Sequence, residues 1–173
     1  MTALQFRTNN FMEKLNTVWH EKALWAYIVI VLGHFSEHVI QIYQIYILGW
    51  LPKEAGGILG LWFPWLAESE ILHIAYNGAM WIGILLLWKG VQGQSRTFWK
   101  WALIFQTWHL FEHVILMYQF VAKDYWFGGA RQTSIGEIFF PRPELHFMYN
   151  FIVFVPLMIA CFLYFRNLQK QNS

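Results

Sequence analysis

Long apolar stretches alternate with short polar segments along most of this chain. Four of the stretches, at residues 23–50, 70–88, 98–121 and 145–165, are long enough to cross a bilayer core, which takes about 20 helical residues. Each stretch is expected to be helical, because hydrocarbon offers backbone N–H and C=O groups no partner outside the segment. The pattern therefore predicts an all-α membrane protein built as a bundle of four transmembrane helices.

Residues 1–22 form a polar N-terminal segment. No cationic start leads directly into a short apolar region, so the segment lacks the pattern of a signal peptide. Asn10 followed by Glu13 is typical of a helix cap with its reciprocal partner, and the apolar residues Phe11 and Trp19 would then share one face. We expect either a short helix at the membrane surface or an irregular polar leader.

Two segments of the chain are repeated. Residues 34–44 (HFSEHVIQIYQ) match residues 109–119 (HLFEHVILMYQ) at an offset of 75, and residues 72–77 (LHIAYN) match residues 145–150 (LHFMYN) at an offset of 73. In each copy the two spans are joined by a loop that contains Gly-Gly and, further on, Phe-Pro. The repeated unit is therefore predicted to be a helical hairpin, used twice.

The two hairpins are expected to occupy residues 23–90 and 98–167 of one membrane domain. Because each unit has an even number of spans, both copies enter the bilayer from the same side, which makes this a parallel duplication. Eight of the 12 Lys and Arg residues lie in the terminal segments and between the hairpins, and the other four lie within the hairpin loops. The positive-inside rule therefore places both termini in the cytoplasm.

Composition supports a membrane protein and excludes several functions. The chain is 57% hydrophobic and 13% charged, whereas about a quarter of the residues in an ordinary soluble domain are charged. The net charge of +2 is spread over several short segments, so no basic patch indicates a nucleic-acid partner. The single cysteine, Cys161, excludes an intrachain disulfide, a CxxC pair and a cysteine-ligated iron–sulfur cluster.

Polar residues inside the predicted spans fall on one face of each helix. At 3.6 residues per turn they form stripes about 100° wide. The stripes comprise His34, Glu37, His38 and Gln41 in the first span, His73, Tyr76 and Asn77 in the second, His109, Glu112 and His113 in the third, and His146, Tyr149 and Asn150 in the fourth. We expect the stripes to face one another, because a charge at a helix centre costs about 2.5–3.5 kcal/mol on insertion scales.

Three arrangements would compensate for the buried glutamates. Protonated glutamates in a metal-free polar network are the simplest, and haem b with paired axial histidines is the second. A dinuclear metal centre is the third and uses both residue types, since carboxylates and imidazoles ligate while two cations neutralise two anions. The layout resembles that of four-helix di-iron carboxylate proteins, although it has more histidine and less carboxylate. The predicted ligands are His34, Glu37, His38, His73, His109, Glu112, His113 and His146.

Further polar residues are candidates to orient these ligands or simply to pack beside them. They are Gln41, Glu70, Tyr76, Asn77, Tyr149 and Asn150. Glu70 lies three residues before His73 and shares its face, but the fourth span has Pro143 at the equivalent place. Gln41 has Leu116 as its counterpart, which indicates a pocket with one polar and one apolar side. His20 lies outside the repeat and is expected to be solvated.

The predicted function is that of a membrane metalloprotein with redox activity. Mixed imidazole and carboxylate ligation favours non-haem iron, with zinc, manganese and copper as alternatives. A di-iron centre would activate oxygen, either to oxidise a lipid-soluble substrate or to take electrons from a quinol or a donor protein. Three alternatives stay open: a b-type cytochrome, a metal or proton transporter, and an accessory subunit of a larger membrane complex. The chain could also form a homo-oligomer.

Overall fold

The computed structural model describes residues 10–67 and 69–172, and every regular element within these ranges is helical. This confirms the predicted all-α class. The first nine residues of the predicted N-terminal segment lie outside the described ranges. The elements are α1 (Phe11–Leu15), α2 (His20–Tyr46), α3 (Gly57–Trp62), α4 (Pro64–Ala67), α5 (Glu70–Leu86), α6 (Gly93–Ala122), a 3-10 helix (Gly136–Ile138) and α7 (Arg142–Asn172).

The four longest helices correspond to the four predicted spans, with shifted ends. Among the described residues, α2 and α7 are long and apolar enough to cross a membrane, and α5 is apolar but has only 17 residues. Helix α6 has 30 residues and is long enough, but its polar residues lower its mean hydropathy, so it is not among the helices that are apolar enough to cross a membrane. The first predicted span reached residue 50, but α2 ends at Tyr46, because a turn with Gly49 at φ +70° follows it.

The N-terminal helix α1 is capped by Asn10, which confirms the first half of the predicted cap; the reciprocal bond from Glu13 stays a prediction. The Asn10 side chain accepts a hydrogen bond from the backbone N–H of Met12 at 3.1 Å. Asn16 then ends the helix and fastens it to the connection between α5 and α6. Its side chain donates to the carbonyl of Leu86 at 2.8 Å and accepts from the N–H of Gly90 at 2.8 Å.

The four long helices share one apolar core. Helix α6 packs against both α5 and α7, and α2 packs against α7. Each of the four helices contributes a side chain that is fully excluded from solvent; these are Leu24, Ile84, Trp99 and Leu157. The Trp99 indole donates to the carbonyl of Ile84 at 2.9 Å, so its one polar atom is satisfied inside the core.

Two tyrosines join α2 to α5 through hydrogen bonds to backbone. Tyr27 donates to the carbonyl of Met80 at 2.8 Å, and Tyr76 donates to the carbonyl of Ile30 at 2.7 Å. Tyr27 and Met80 belong to the apolar core, and the bond from Tyr76 reaches α2 three residues further along. The next turn of α2 carries His34, the first histidine of the repeated segments.

Candidate metal centre

Six imidazoles from four helices come together beyond the apolar core. His146 of α7 lies at the middle of the group. Its ring centroid is 5.0 Å from that of His113, 5.7 Å from His73, 6.0 Å from His109 and 6.2 Å from His38. His34 completes the group, with its ring 4.7 Å from that of His38. The structure thus brings together all six histidines that the repeated segments contain.

Helices α2 and α6 each present two histidines one turn apart, with their Nε2 atoms directed at each other. The Nε2–Nε2 distance is 3.3 Å between His34 and His38, and 3.1 Å between His109 and His113. Two metal–nitrogen bonds of about 2.0–2.1 Å at a tetrahedral angle place their nitrogens about 3.3–3.4 Å apart. The pair on α2 therefore has the spacing of two ligands on one ion, and the pair on α6 is slightly closer. Both distances are also those of a direct hydrogen bond between two imidazoles.

A third imidazole adds to the pair on α6. His109, His113 and His146 each offer a ring nitrogen, and these three atoms lie within 4.8 Å of one another. His109 and His113 are buried, and His146 is partly buried. Three imidazoles in this arrangement can hold a transition-metal ion and leave a further coordination position for another ligand.

Two of the rings are oriented by hydrogen bonds to their second nitrogen. His38 Nδ1 lies 2.9 Å from the side-chain oxygen of Gln41, and His73 Nδ1 lies 2.8 Å from the carbonyl oxygen of Ser69. Because both oxygens only accept, each Nδ1 carries the proton and each Nε2 keeps its lone pair. That is the tautomer in which Nε2 binds a metal.

Each of the two glutamates bonds to a hairpin loop through one carboxylate oxygen. Glu37 Oε2 accepts from the N–H of Leu59 at 3.1 Å, and Glu112 Oε2 accepts from the N–H of Gly136 at 3.2 Å. Each carboxylate thus holds the first turn of a short helix in its own hairpin loop. Glu112 Oε1 is buried and has no hydrogen-bond partner among the described residues. The structure does not place either carboxylate in the group formed by His109, His113 and His146.

The tyrosines and asparagines of the repeated segments line the histidines. Tyr76 stacks on His34 at 4.1 Å between centroids, and Tyr149 lies 5.2 Å from the ring of His109. The asparagines bond both to their own helices and to neighbouring ones: Asn77 Oδ1 accepts from the amide of Gln106 at 3.0 Å, and the Asn150 side chain hydrogen-bonds to His34. The amide of Asn77 donates to the carbonyl of His73 at 3.0 Å, and Asn150 does the same to His146 at 2.9 Å.

Glu70 belongs to an ion-pair network and makes no contact of its own with the imidazoles. Its Oε1 accepts from Arg142 Nη1 at 2.7 Å and from the amide of Gln132 at 3.1 Å. Arg142 also pairs with Glu137, so one guanidinium bridges two carboxylates. This network ties α5 to the start of α7 and to the loop that precedes it. Its partners lie at the start of α7 and in the loop before it, far from Glu70 in sequence, so the spacing from His73 alone did not reveal the network.

Two glutamines hold the hairpin loops against the histidine-bearing helices, and sequence reasoning gave them no role. Gln44 both donates to and accepts from the backbone of Gly57, at 3.2 and 2.9 Å. Gln119 makes the same pair of bonds with the backbone of Thr133, at 2.8 and 3.2 Å, and accepts from the N–H of Trp126 at 3.0 Å. In the sequence, both glutamines lie within predicted spans and each follows a repeated glutamate by seven residues.

The expectation that His20 is solvated is wrong. His20 is 1% exposed, and its ring packs edge-on against Tyr164 at 5.1 Å between centroids. Gly90 lies against the other side, where a Cβ would collide with the imidazole. The burial arises from contacts with two distant segments, which local sequence pattern does not report.

A cavity of about 400 Å³ reaches the histidines from one side. It lies between α2 and α5 and under α3 and α4, and its inner wall includes His34, His38 and His73. Leu59, Leu66 and Leu72 supply apolar lining. A cavity of this size and character is typical of small-molecule sites, which are mostly apolar with a few polar groups.

No protein-family model, curated protein or solved structure matches the chain. Among the described residues, His109, His113 and His146 form a group that could hold a metal ion, and three further imidazoles, two carboxylates and a cavity lie beside it. Three imidazoles at this spacing can hold one transition-metal ion.

Proposed function

We propose that the protein is an integral membrane oxidoreductase with a dinuclear non-haem metal centre. The observation that carries the proposal is the convergence of six imidazoles with two Nε2–Nε2 pairs at 3.3 and 3.1 Å. One ion is assigned to His109, His113 and His146, and the other to His34 and His38 with His73. Glu37 and Glu112 complete the centre and offset its charge.

All four long helices are proposed to cross the membrane, including α6. Between residues 101 and 121 the exposed side chains of α6 are apolar or aromatic, apart from the Thr107 hydroxyl. That hydroxyl is satisfied by the carbonyl of Leu103 at 2.7 Å. The polar side chains of the same stretch are buried against other helices; they are Gln106, His109, Glu112, His113 and Gln119. An apolar exterior around a polar interior is the arrangement that hydrocarbon requires.

Iron is the proposed metal, because the carboxylates remain available beside the imidazoles. A carboxylate can accept an N–H with one oxygen and bind a cation with the other, and Glu112 has one buried oxygen without a partner. Copper is the rival that an imidazole-only donor set favours. Zinc fits the same ligands but has no redox chemistry.

The compact packing of the rings favours separate ions over haem. His73, His113 and His146 lie with near-parallel rings at 5.0–5.7 Å between centroids. A haem needs two axial ligands on opposite faces of a wide macrocycle, whereas each histidine pair on α2 and α6 points at a single position.

The proposed reaction is oxidation of a quinol with reduction of dioxygen. Two quinols give up four electrons and four protons to one dioxygen, which yields two quinones and two waters. The apolar cavity beside His34 and His38 supports a lipid-soluble electron donor. A transporter would use the same ligands without turnover, so quinol-dependent oxygen consumption separates the two functions.

Metal content by mass spectrometry, with an optical spectrum, tests the centre. The purified protein is expected to hold two ions per chain and to show no haem Soret band. Replacing His113 by Gln should lower the metal content, whereas His20→Gln, which removes a buried histidine outside the centre, should leave it unchanged. A metal-free wild-type protein, or equal loss in both variants, would exclude the proposal and favour a purely hydrogen-bonded network.

A further inference from the structure

The histidine group has two halves, His34, His38 and His73 in the first hairpin and His109, His113 and His146 in the second. The cavity borders only the first half. Its lining includes His34, Glu37 and Gln41 of α2, and His73 of α5, but none of the ligands on α6 or α7. On the other half His109 and Glu112 are buried. The two halves of the centre therefore differ in access to a small molecule, even though their histidines are arranged alike.

One sequence difference coincides with this asymmetry. Gly33 precedes the first HxxEH motif, and Trp108 stands at the matching position before the second, at the same offset of 75. A Cβ at Gly33 would meet nothing within 4 Å, and Gly33 lines the cavity. Trp108 instead donates to the hydroxyl of Tyr149 at 3.1 Å, and Tyr149 lies beside His109.

A second difference sets the polarity of the two halves. Gln41 lines the cavity and bonds to His38, whereas its counterpart Leu116 is buried. In the half that borders the cavity, the inner wall can form hydrogen bonds through His34, Glu37 and Gln41. The opposite side is apolar and includes Leu59 and Leu66. That combination fits a ligand with one polar ring and an apolar tail.

We propose that a quinol reaches the centre only through the first hairpin, past Gly33, and that the ion on His109, His113 and His146 is closed to substrate. This assignment rests on the proposed function for its choice of substrate. The cavity itself does not depend on the metal, because hydrogen bonds fix its walls: Glu37 accepts from the N–H of Leu59, and Gln44 donates to and accepts from the backbone of Gly57.

The test is binding of decylubiquinone, by titration calorimetry, to the full chain with and without its metal. Gly33→Leu places a side chain in the space that the ligand would occupy and should weaken binding by about tenfold or more, which corresponds to about 1.4 kcal/mol. Gly78→Leu is the matched control, because Gly78 is also a helical glycine with no atom within 4 Å of a Cβ but does not line the cavity. It should bind like the wild type.

The reciprocal variant Trp108→Gly should leave the first site intact and retain wild-type affinity there. Equal affinity of Gly33→Leu and wild type, or an equal loss in Gly33→Leu and Gly78→Leu, would overturn the access route. So would absence of decylubiquinone binding to the wild type. A protein that binds the quinone in a Gly33-dependent manner yet holds no metal would retain the route and overturn the dinuclear centre, so the two failures are distinguishable.

Discussion

The imidazoles of His38 and His113 occupy matching positions in the repeat but are held by different means. His38 is oriented by the amide oxygen of Gln41 at 2.9 Å. His113 has Leu116 at the corresponding place, and its Nδ1 is buried without a hydrogen-bond partner among the described residues. Packing against His146 orients this second ring. A hydrogen bond that fixes the tautomer also raises the basicity of the ligating nitrogen.

Replacing Gln41 by Leu removes that hydrogen bond while copying the residue found in the other half. We expect metal affinity at the His34 and His38 site to fall by about 10- to 100-fold, as for other partners of ligating imidazoles. Competition with a chelator measures the change. Gln94→Leu, at an exposed position near the start of α6, is the control. Unchanged affinity in the Gln41 variant would mean that packing alone orients His38.

Replacing Glu112 by Gln separates its charge from its structural bond. Glutamine retains an oxygen that can accept from the N–H of Gly136, so the loop contact is preserved while the negative charge is lost. Two cations in a medium of low dielectric would then be undercompensated. Metal content is therefore expected to fall further in Glu112→Gln than in His73→Gln. Full metal content in Glu112→Gln would show that the carboxylate serves only the loop.

At the scale of the helix, α6 illustrates what the sequence predicts and what it does not. The 3.6-residue period places His109, Glu112 and His113 on one face, and the structure buries all three. The direction in which each carboxylate turns depends on the loop that folds over it. Glu37 and Glu112 therefore face backbone N–H groups that no periodicity could reveal.

The hairpin loops depend on a small number of side-chain bonds to backbone. Gln119 satisfies three backbone groups in its loop. Replacing Gln119 by Leu should destabilise the protein by about 1–3 kcal/mol, because buried polar groups lose their partners. A lower melting temperature in detergent, with Gln94→Leu unchanged, is the expected result. Equal melting temperatures would mean that the loop groups find other partners.

Across the whole molecule, apolar and polar contacts are segregated along the helix axes. Leu24, Ile84, Trp99 and Leu157 form the core near one end, and the imidazoles lie further along the same helices. The sequence predicts this layout because each histidine motif begins well after the start of α2 and α6. It does not predict the burial of His20, which requires α7 and the α5–α6 connection to meet.

The proposed topology places both termini in the cytoplasm and the hairpin loops on the other side. Cysteines at Gln94 and Arg131, two exposed positions on opposite sides in this topology, test it. The native thiol, Cys161, is buried, so background labelling should be low. In intact cells a membrane-impermeant maleimide should label Arg131→Cys but not Gln94→Cys. Labelling of both variants, or of Gln94→Cys alone, would contradict the arrangement.

The central claim is that two non-haem ions lie within the six imidazoles. X-ray absorption at the edge of the bound metal measures ligands and metal–metal distance in one experiment. Imidazole nitrogens are expected at about 2.0–2.1 Å from the metal, as in other histidine sites, and a second metal at about 3.5–4 Å. A spectrum with the multiple scattering of a porphyrin, or one with no metal–metal vector, would contradict it.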